Sequence, residues 1–280
     1  ISDLMESINF QEEVTILDPK SDEQLEIKSK YANLFWNEQK RKGVTLYEAE
    51  SLMRERNYFA AMMVKNGDVD AMLSGYSRNY ASVIKPVLDV VGKDKGVSKI
   101  AATNMMLTDR GPIFISDTSI NIDPTAKELA KIGFMTSKIV EMFGIKPVMA
   151  MLSYTNFGSS KHPNAGKVTD AVAYLHRYYP DLVVDGPLQS DFALNRDMLE
   201  ERFPFSEIAK KNVNTLIFPN LESANITYKL MKELNKNQSV GPILLGLKEP
   251  IHVLQLGASV DEIVNMAAVA VIDAQQKQKR

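Results

Sequence analysis

Two linked segments decide the fold: AMLSYTNFGSSKHPNAGK (Ala150–Lys167) and DLVVDGPLQSDFALN (Asp181–Asn195). Each opens as a short apolar run and closes in a loop of small and polar residues. A parallel strand that delivers ligand-binding groups at its carboxyl end has this form. Outward from them, strand and helix alternate. Val148–Ser153, a helix near 165–178, Leu182–Asp185 and a helix near 196–211 come first. Thr215–Phe218, a helix over 222–235, Ile243–Leu245 and a final helix from Ser259 follow. This alternation predicts an α/β protein with a largely parallel sheet.

Upstream, Lys99–Leu107 and Ile113–Ser116 flank a DRGP turn and predict an antiparallel hairpin. Val69–Leu73 reads as a buried strand followed by a polar loop, SGYSRNYAS, and Val14–Leu17 as a strand. A helix over 23–42 ends in KRK before Gly43, good stop chemistry. Thr45 and Glu48 form a capping box that opens a helix to about Lys65, and Ser259 and Glu262 form a second. Asp123 reads as an N-cap with Pro124 at the first helical position. Residues 1–10 read as the tail of a helix. With no initiator methionine, that start predicts a fragment of a longer protein.

The 280 residues are 45% hydrophobic and 24% charged, enough for a substantial core in one or two domains. A formal charge of −2 argues against nucleic acid or an anionic membrane as partner. The absence of cysteine excludes disulfides, thiolate metal sites and a Cys nucleophile, and fits a cytoplasmic location. No run is long enough to span a bilayer, and no signal-peptide pattern is present.

No dinucleotide or phosphate-loop glycine motif occurs, and His162, His176 and His252 lack metal-ligand spacing. No metal site is expected within the chain, and His176 reads as structural. Five loops at strand ends carry hydroxyls, amides and glycines: 74–79, 153–163, 185–191, 218–225 and 254–259. Any one could be an ordinary capped turn; five along one sheet edge point to a shared binding cleft.

The segments GDVDAMLSGYSRNYASVIKP (67–86), AMLSYTNFGSSKHP (150–163), VVDGPLQSDFAL (183–194), FPNLESANITYK (218–229) and GPILLGLKEP (241–250) resemble, in order and spacing, the motifs of phosphate acetyltransferases. Within that superfamily, NFGSSKHP, FPNLESAN and PIHVLQLGASVDEIVNMAAVAVIDAQ are most similar to the C-terminal part of bacterial NADP-dependent malic enzymes. The resemblance implies a three-layer α/β/α fold of two subdomains, related to that of isocitrate dehydrogenase, with acetyl-CoA in the cleft between them. The first subdomain would comprise residues 1–95 plus 239–280, truncated at its N-terminus, and the second residues 96–238.

It also implies site residues. Ser74, Gly75, Lys85, Ser153, Tyr154, Gly158, Ser159, Asp185, Gly186, Gln189, Asp191, Asn220 and Asn225 fall in the ligand-binding loops. The family's catalytic Ser-Arg pair falls on Gln255 and Leu256, and its Asp on Glu262. Two arginine positions fall on Gln39 and Lys85. Leu256 cannot donate, and loss of a bidentate fork on phosphate removes a contact worth about 1.5–3 kcal/mol. Lys85 keeps the charge without the fork.

These changes favour a regulatory domain that binds acetyl-CoA as effector and is itself without transferase activity. It would serve a malic enzyme whose upstream catalytic domain uses NADP and Mg or Mn to decarboxylate malate oxidatively. The alternative is a working phosphate acetyltransferase; a purely structural oligomerisation domain is a third reading. The family implies a homo-oligomer, at least a dimer.

Overall fold

The computed structural model describes residues 2–235 and 238–278. By contacts the chain divides into two compact units, Ile1–Met62 and Met63–Arg280. The partition expected at Lys95 and Ser239 is a different division, since the strand beginning at Ser239 belongs to the large sheet described below.

The first unit is helical. Helix α1 spans Ser2–Ser7 and α2 spans Leu25–Gln39, preceded by a 3-10 turn that Ser21 caps. Gly43 stops the chain at φ 94°, a left-handed value that favours glycine. Helix α3, Leu46–Leu52, carries the expected Thr45–Glu48 capping box in full. The helix expected to run on to Lys65 breaks at 53–55 and restarts as α4, Arg56–Asn66, which crosses the division between units. Edge-on rings lock α2 to the start of α4: Tyr31 on Phe59 at 5.4 Å and Phe35 on Tyr58 at 5.8 Å. The strand expected at Val14–Leu17 does not form. Val14 and Ile16 are nearly half exposed, and no described strand pairs with them.

In the second unit β1 (Met72–Ser74) leads to α5 (Tyr80–Val90), capped by Asn79. The hairpin forms as expected: β2 (Ala101–Thr108) and β3 (Gly111–Ser116) pair antiparallel. Helix α6 (Ala126–Met142) begins two residues later than expected, because Thr125 and Glu128 form the capping box in place of an Asp123 cap. Then follow β4 (Met149–Leu152), α7 (Pro163–Tyr178), β5 (Val184–Leu188), α8 (Ser190–Leu194) and α9 (Arg196–Arg202). The helix expected to run to Lys211 stops before Pro204, which cannot continue it. Strand β6 (Thr215–Ile217), α10 (Leu221–Asn235), β7 (Ser239–Leu245), β8 (Ile251–Val253) and α11 (Val260–Gln278) complete the chain.

Six strands form one sheet in the order β5-β4-β6-β3-β2-β7. Neighbours from β5 to β3 are parallel, and β2 runs antiparallel to both its neighbours. Side chains alternate across it, and both faces are covered. Ala150, Leu152, Leu216 and Leu188 pack against Leu199 of α9 and Tyr228 of α10. Met149, Met151, Ile217 and Val184 pack against Leu129 and Ile132 of α6 and Val168 and Leu175 of α7. This is the expected three-layer α/β/α architecture. A separate two-stranded parallel sheet joins β1 to β8, with Met72 opposite Ile251 and Ser74 opposite Val253.

Candidate functional site

The sheet order creates a switch point. The chain leaves the carboxyl end of β4 through α7 toward β5, and leaves the adjacent end of β6 through α10 in the opposite direction. A crevice opens where adjacent connections diverge, the usual ligand position in open α/β sheets. It holds a cavity of about 550 Å³ lined by Ser153, Tyr154, Lys167, Ser190, Asn220 and Ser223 among others. That volume suits a small molecule or one arm of a larger one. The long helices α7 and α10 start at its rim, each presenting the N-terminal end that favours negative charge.

Three sequence-expected residues, Ser153, Tyr154 and Asn220, line this cavity. The Asn220 Oδ1 accepts from the Ser223 N–H at 2.9 Å and so caps α10. Asn225 donates to the Thr118 carbonyl at 2.9 Å, tying α10 to the loop that leaves β3. Gln189 is held in a reciprocal clasp: Asn156 Nδ2 donates to its Oε1 at 2.7 Å, and its own N–H donates to Asn156 Oδ1 at 2.9 Å. Its Nε2 donates to the Tyr154 carbonyl at 2.9 Å. These bonds tie the loop after β4 to the loop after β5.

Tyr154 shares a hydroxyl contact with Ser160 at 2.9 Å, Gly158 and Ser159 lie in a 3-10 turn, and Ser159 Oγ contacts Thr155 Oγ1. In that turn Phe157 takes φ 47°, rare for an aromatic residue, with the rings of Phe203 and Phe205 each 4.9 Å away.

Asp185 is buried and already engaged: it accepts from Ser206 Oγ at 2.7 Å and from the Glu207 N–H at 3.1 Å. It organises the 203–209 segment and does not line the cavity. At Gly186 an added Cβ would lie 2.4 Å from the Met151 carbonyl oxygen, so only glycine allows β5 to run this close to β4. Asp191 is exposed, in the first turn of α8.

A second loop pair lies at the ends of β1 and β8. The Leu254 N–H donates to the Ser74 carbonyl at 2.7 Å and the Gly257 N–H to the Tyr76 carbonyl at 3.3 Å. Gly75, at φ 107°, fits against the Leu254 backbone, where a Cβ would meet its carbonyl oxygen at 2.6 Å. Leu256 is 71% exposed, an apolar side chain standing in solvent beside this seam.

Glu262 completes the Ser259 capping box and pairs with Lys232 at 2.6 Å. Partial burial works to raise its pKa, but the Lys232 ammonium and the Ser259 N–H outweigh that and hold it below the ordinary carboxylate value. Lys85, exposed on α5, pairs with Asp89 at 2.6 Å. Gln39 ends α2 in the first unit.

The loop leaving β3 links the two groups. Asp117 is buried and accepts from the N–H groups of Ser119, Ile120 and Asn121 at 2.9–3.2 Å. Burial raises its pKa, against the pull of these donors. Burial, and then the Asp117 charge, push the Tyr80 phenol pKa far up, so the first residue of α5 stays protonated beside this loop.

Sequence reasoning placed Asn156, Ser190 and Ser223 in its binding loops without singling them out, and it missed Lys167. Lys167 pairs with Asp123 at 2.6 Å and donates to the Pro219 carbonyl at 2.9 Å. The available signal was a cation near the start of a helix, where the dipole disfavours it. No group of three or more His, Cys, Asp or Glu residues that could hold a metal occurs among the described residues.

Residues 3–271 match the phosphate acetyl/butaryl transferase family. The chain belongs to this family. A phosphate acetyltransferase of Corynebacterium glutamicum is 36% identical over 260 residues, covering 92% of this chain and 78% of the relative. An NADP-dependent malic enzyme of Escherichia coli is 39% identical over 247 residues, covering 86% of this chain but 32% of the relative. The chain thus spans about a third of the length of that malic enzyme. Among solved structures, a phosphotransacetylase from Streptococcus pyogenes matches with TM-score 0.86 at 32% identity, and the EutD phosphotransacetylase from Staphylococcus aureus with 0.86 at 28%. Each alignment covers 99% of this chain and 83% of the other. Among the described residues no helix is long and apolar enough to cross a membrane.

Proposed function

We propose that this chain binds acetyl-CoA along the strand-end loops and works in the reaction class of its family, acyl transfer between CoA and phosphate. The observation that carries this reading is the extent of the match: a phosphate acetyltransferase is matched over 78% of its own length, and phosphotransacetylase structures over 83%. The sequence reading placed regulation first and transfer second; that extent reverses the order.

In the forward direction a phosphate oxygen attacks the thioester carbonyl, the C–O bond forms, the C–S bond breaks, and the CoA thiolate leaves and takes a proton. Glu262 stands at the family's carboxylate position, so the Lys232 pair must open for it to exchange a proton. Gln255 and Leu256 supply neither hydroxyl nor guanidinium, so turnover is slower than in a member with the Ser-Arg pair.

A second reading is favoured by those same residues. Leu256 is apolar and exposed, and Glu262 is occupied by Lys232 and the Ser259 cap. A site that keeps its binding loops but lacks the phosphate clamp suits an effector domain, with acetyl-CoA read out by an upstream NADP-dependent malic enzyme.

The deciding experiment follows acetyl-CoA-dependent acetyl phosphate formation by thiol release, with acetyl-CoA binding measured by calorimetry. Phosphate-dependent thiol release establishes transfer. Binding with no release supports the effector reading, and no binding sinks both.

A further inference from the structure

Within the first unit, α2 and α3 enclose a groove of about 380 Å³ lined by Leu25, Lys28, Ser29, Tyr47, Glu50, Ser51 and Arg54. Lys28 is 7% exposed, and its ammonium donates to the Ser21 carbonyl oxygen at 2.8 Å. Among the described residues no carboxylate pairs with it. A buried ammonium normally has an anionic partner, because desolvating an uncompensated charge is costly. Arg54, on the α3 side, also has no side-chain partner among the described residues, and neither do the Ser29 and Ser51 hydroxyls.

The groove is therefore rich in unused donors. Two cations face one carboxylate, Glu50, while Leu25 and the Tyr47 ring supply apolar walls. The helical spacing explains the convergence: Leu25, Lys28 and Ser29 share one face of α2, Tyr47, Glu50 and Ser51 share one face of α3, and Arg54 follows in the turn just after α3.

We propose that this groove is a binding site for a phosphate group, with Lys28 and Arg54 as its charges and the Ser29 and Ser51 hydroxyls as neutral donors. Arginine with a second cation and hydroxyls is the donor set that suits tetrahedral oxyanions. The opposing Glu50 limits the site to a lightly charged anion, such as inorganic phosphate or a phosphomonoester, and works against polyphosphates. The site lies wholly within residues 25–54 and does not depend on the reading of the strand-end loops.

The test uses the 280-residue chain and titrates inorganic phosphate and phenyl phosphate while backbone amide resonances are followed. The expected result is perturbation of amides in residues 25–29 and 47–54, with affinity reduced at least tenfold by Arg54→Gln and by Lys28→Met. Arg54 is exposed, so its variant keeps the test intact even if Lys28→Met impairs folding. Tighter binding of phenyl phosphate supports the site with a phosphorylated metabolite as ligand. Equal binding supports it with free phosphate. Perturbation confined to the strand-end loops, or unchanged affinity in Arg54→Gln, overturns the proposal.

Discussion

His252 of β8 and Asp273 of α11 face each other in the interior, with Nε2 3.4 Å from Oδ2. The Leu244 N–H points at Nδ1 from 3.4 Å. Lys277 lies 3.6 Å from the same oxygen. Burial acts to raise the Asp273 pKa, yet the His252 ring and the Lys277 ammonium outweigh it and hold the carboxyl below its ordinary value. A carboxyl whose pKa falls on folding stabilises the fold above its unfolded pKa of about 4 and loses that contribution as pH drops through the folded value. Wild type is therefore expected to lose stability below pH 4 more steeply than Asp273→Asn. Urea denaturation at several pH values checks this, and parallel curves refute it. At neutral pH the substitution should cost about 1–3 kcal/mol, through loss of the carboxylate charge that faces His252 and Lys277.

Gly186→Ala should be severely destabilising. The added methyl meets the Met151 carbonyl oxygen at 2.4 Å, and the backbone sits at φ 149°. β4 is flanked by strands on both sides, and β5, although the edge strand, is buried along its whole length, so neither can retreat freely and a loss of about 2–4 kcal/mol is expected in urea melts. A variant as stable as wild type would show that β4 and β5 are less closely apposed.

Asn156 and Gln189 should behave as one unit. Asn156→Ala removes both bonds of the clasp and Gln189→Ala removes the side-chain one, so the double variant is expected to weaken acetyl-CoA binding little more than Asn156→Ala alone. The coupling in a double-mutant cycle should be about 1–2 kcal/mol. Additive effects would mean the loops bind independently.

The combined change Gln255→Ser with Leu256→Arg restores a hydroxyl and a planar cationic fork beside the Ser74–Leu254 seam. Acetyl phosphate formation should rise at least tenfold with acetyl-CoA affinity little altered. No rise would place the rate limit elsewhere, with Glu262 held by Lys232 the next suspect.

Much of this architecture could be read from residue patterns, and the failures have physical causes. The strands ending at Leu152 and Ile217 were legible because both of their faces are buried, leaving apolar runs, whereas β5, expected at Leu182–Asp185, lies at Val184–Leu188, where Asp185 and Gly186 interrupt the run. Helix α5 was not. Its opening, SGYSRNYAS, has loop composition and Pro86 sits inside the helix, so only Asn79 marks where it begins. Val14–Leu17 has strand composition without a neighbour to pair with. At the site, the loops were legible as loops, but their partners were not. Lys167 comes from a helix and Ser223 from another, and only the sheet order brings them to the same crevice.

The β1–β8 pairing has a consequence for the order in which the protein matures. Met72 and Ile251 meet across about 180 residues of intervening chain, through only three strand positions on each side. A contact this distant in sequence carries a large closure entropy. During synthesis from the N-terminus, β1 emerges long before its partner, so the Ser74–Leu254 seam forms last. A nascent chain can complete the cavity between β4 and β6 while the opposite loop pair is still open. That seam closes only once β8, which follows every other strand in the chain, has been made.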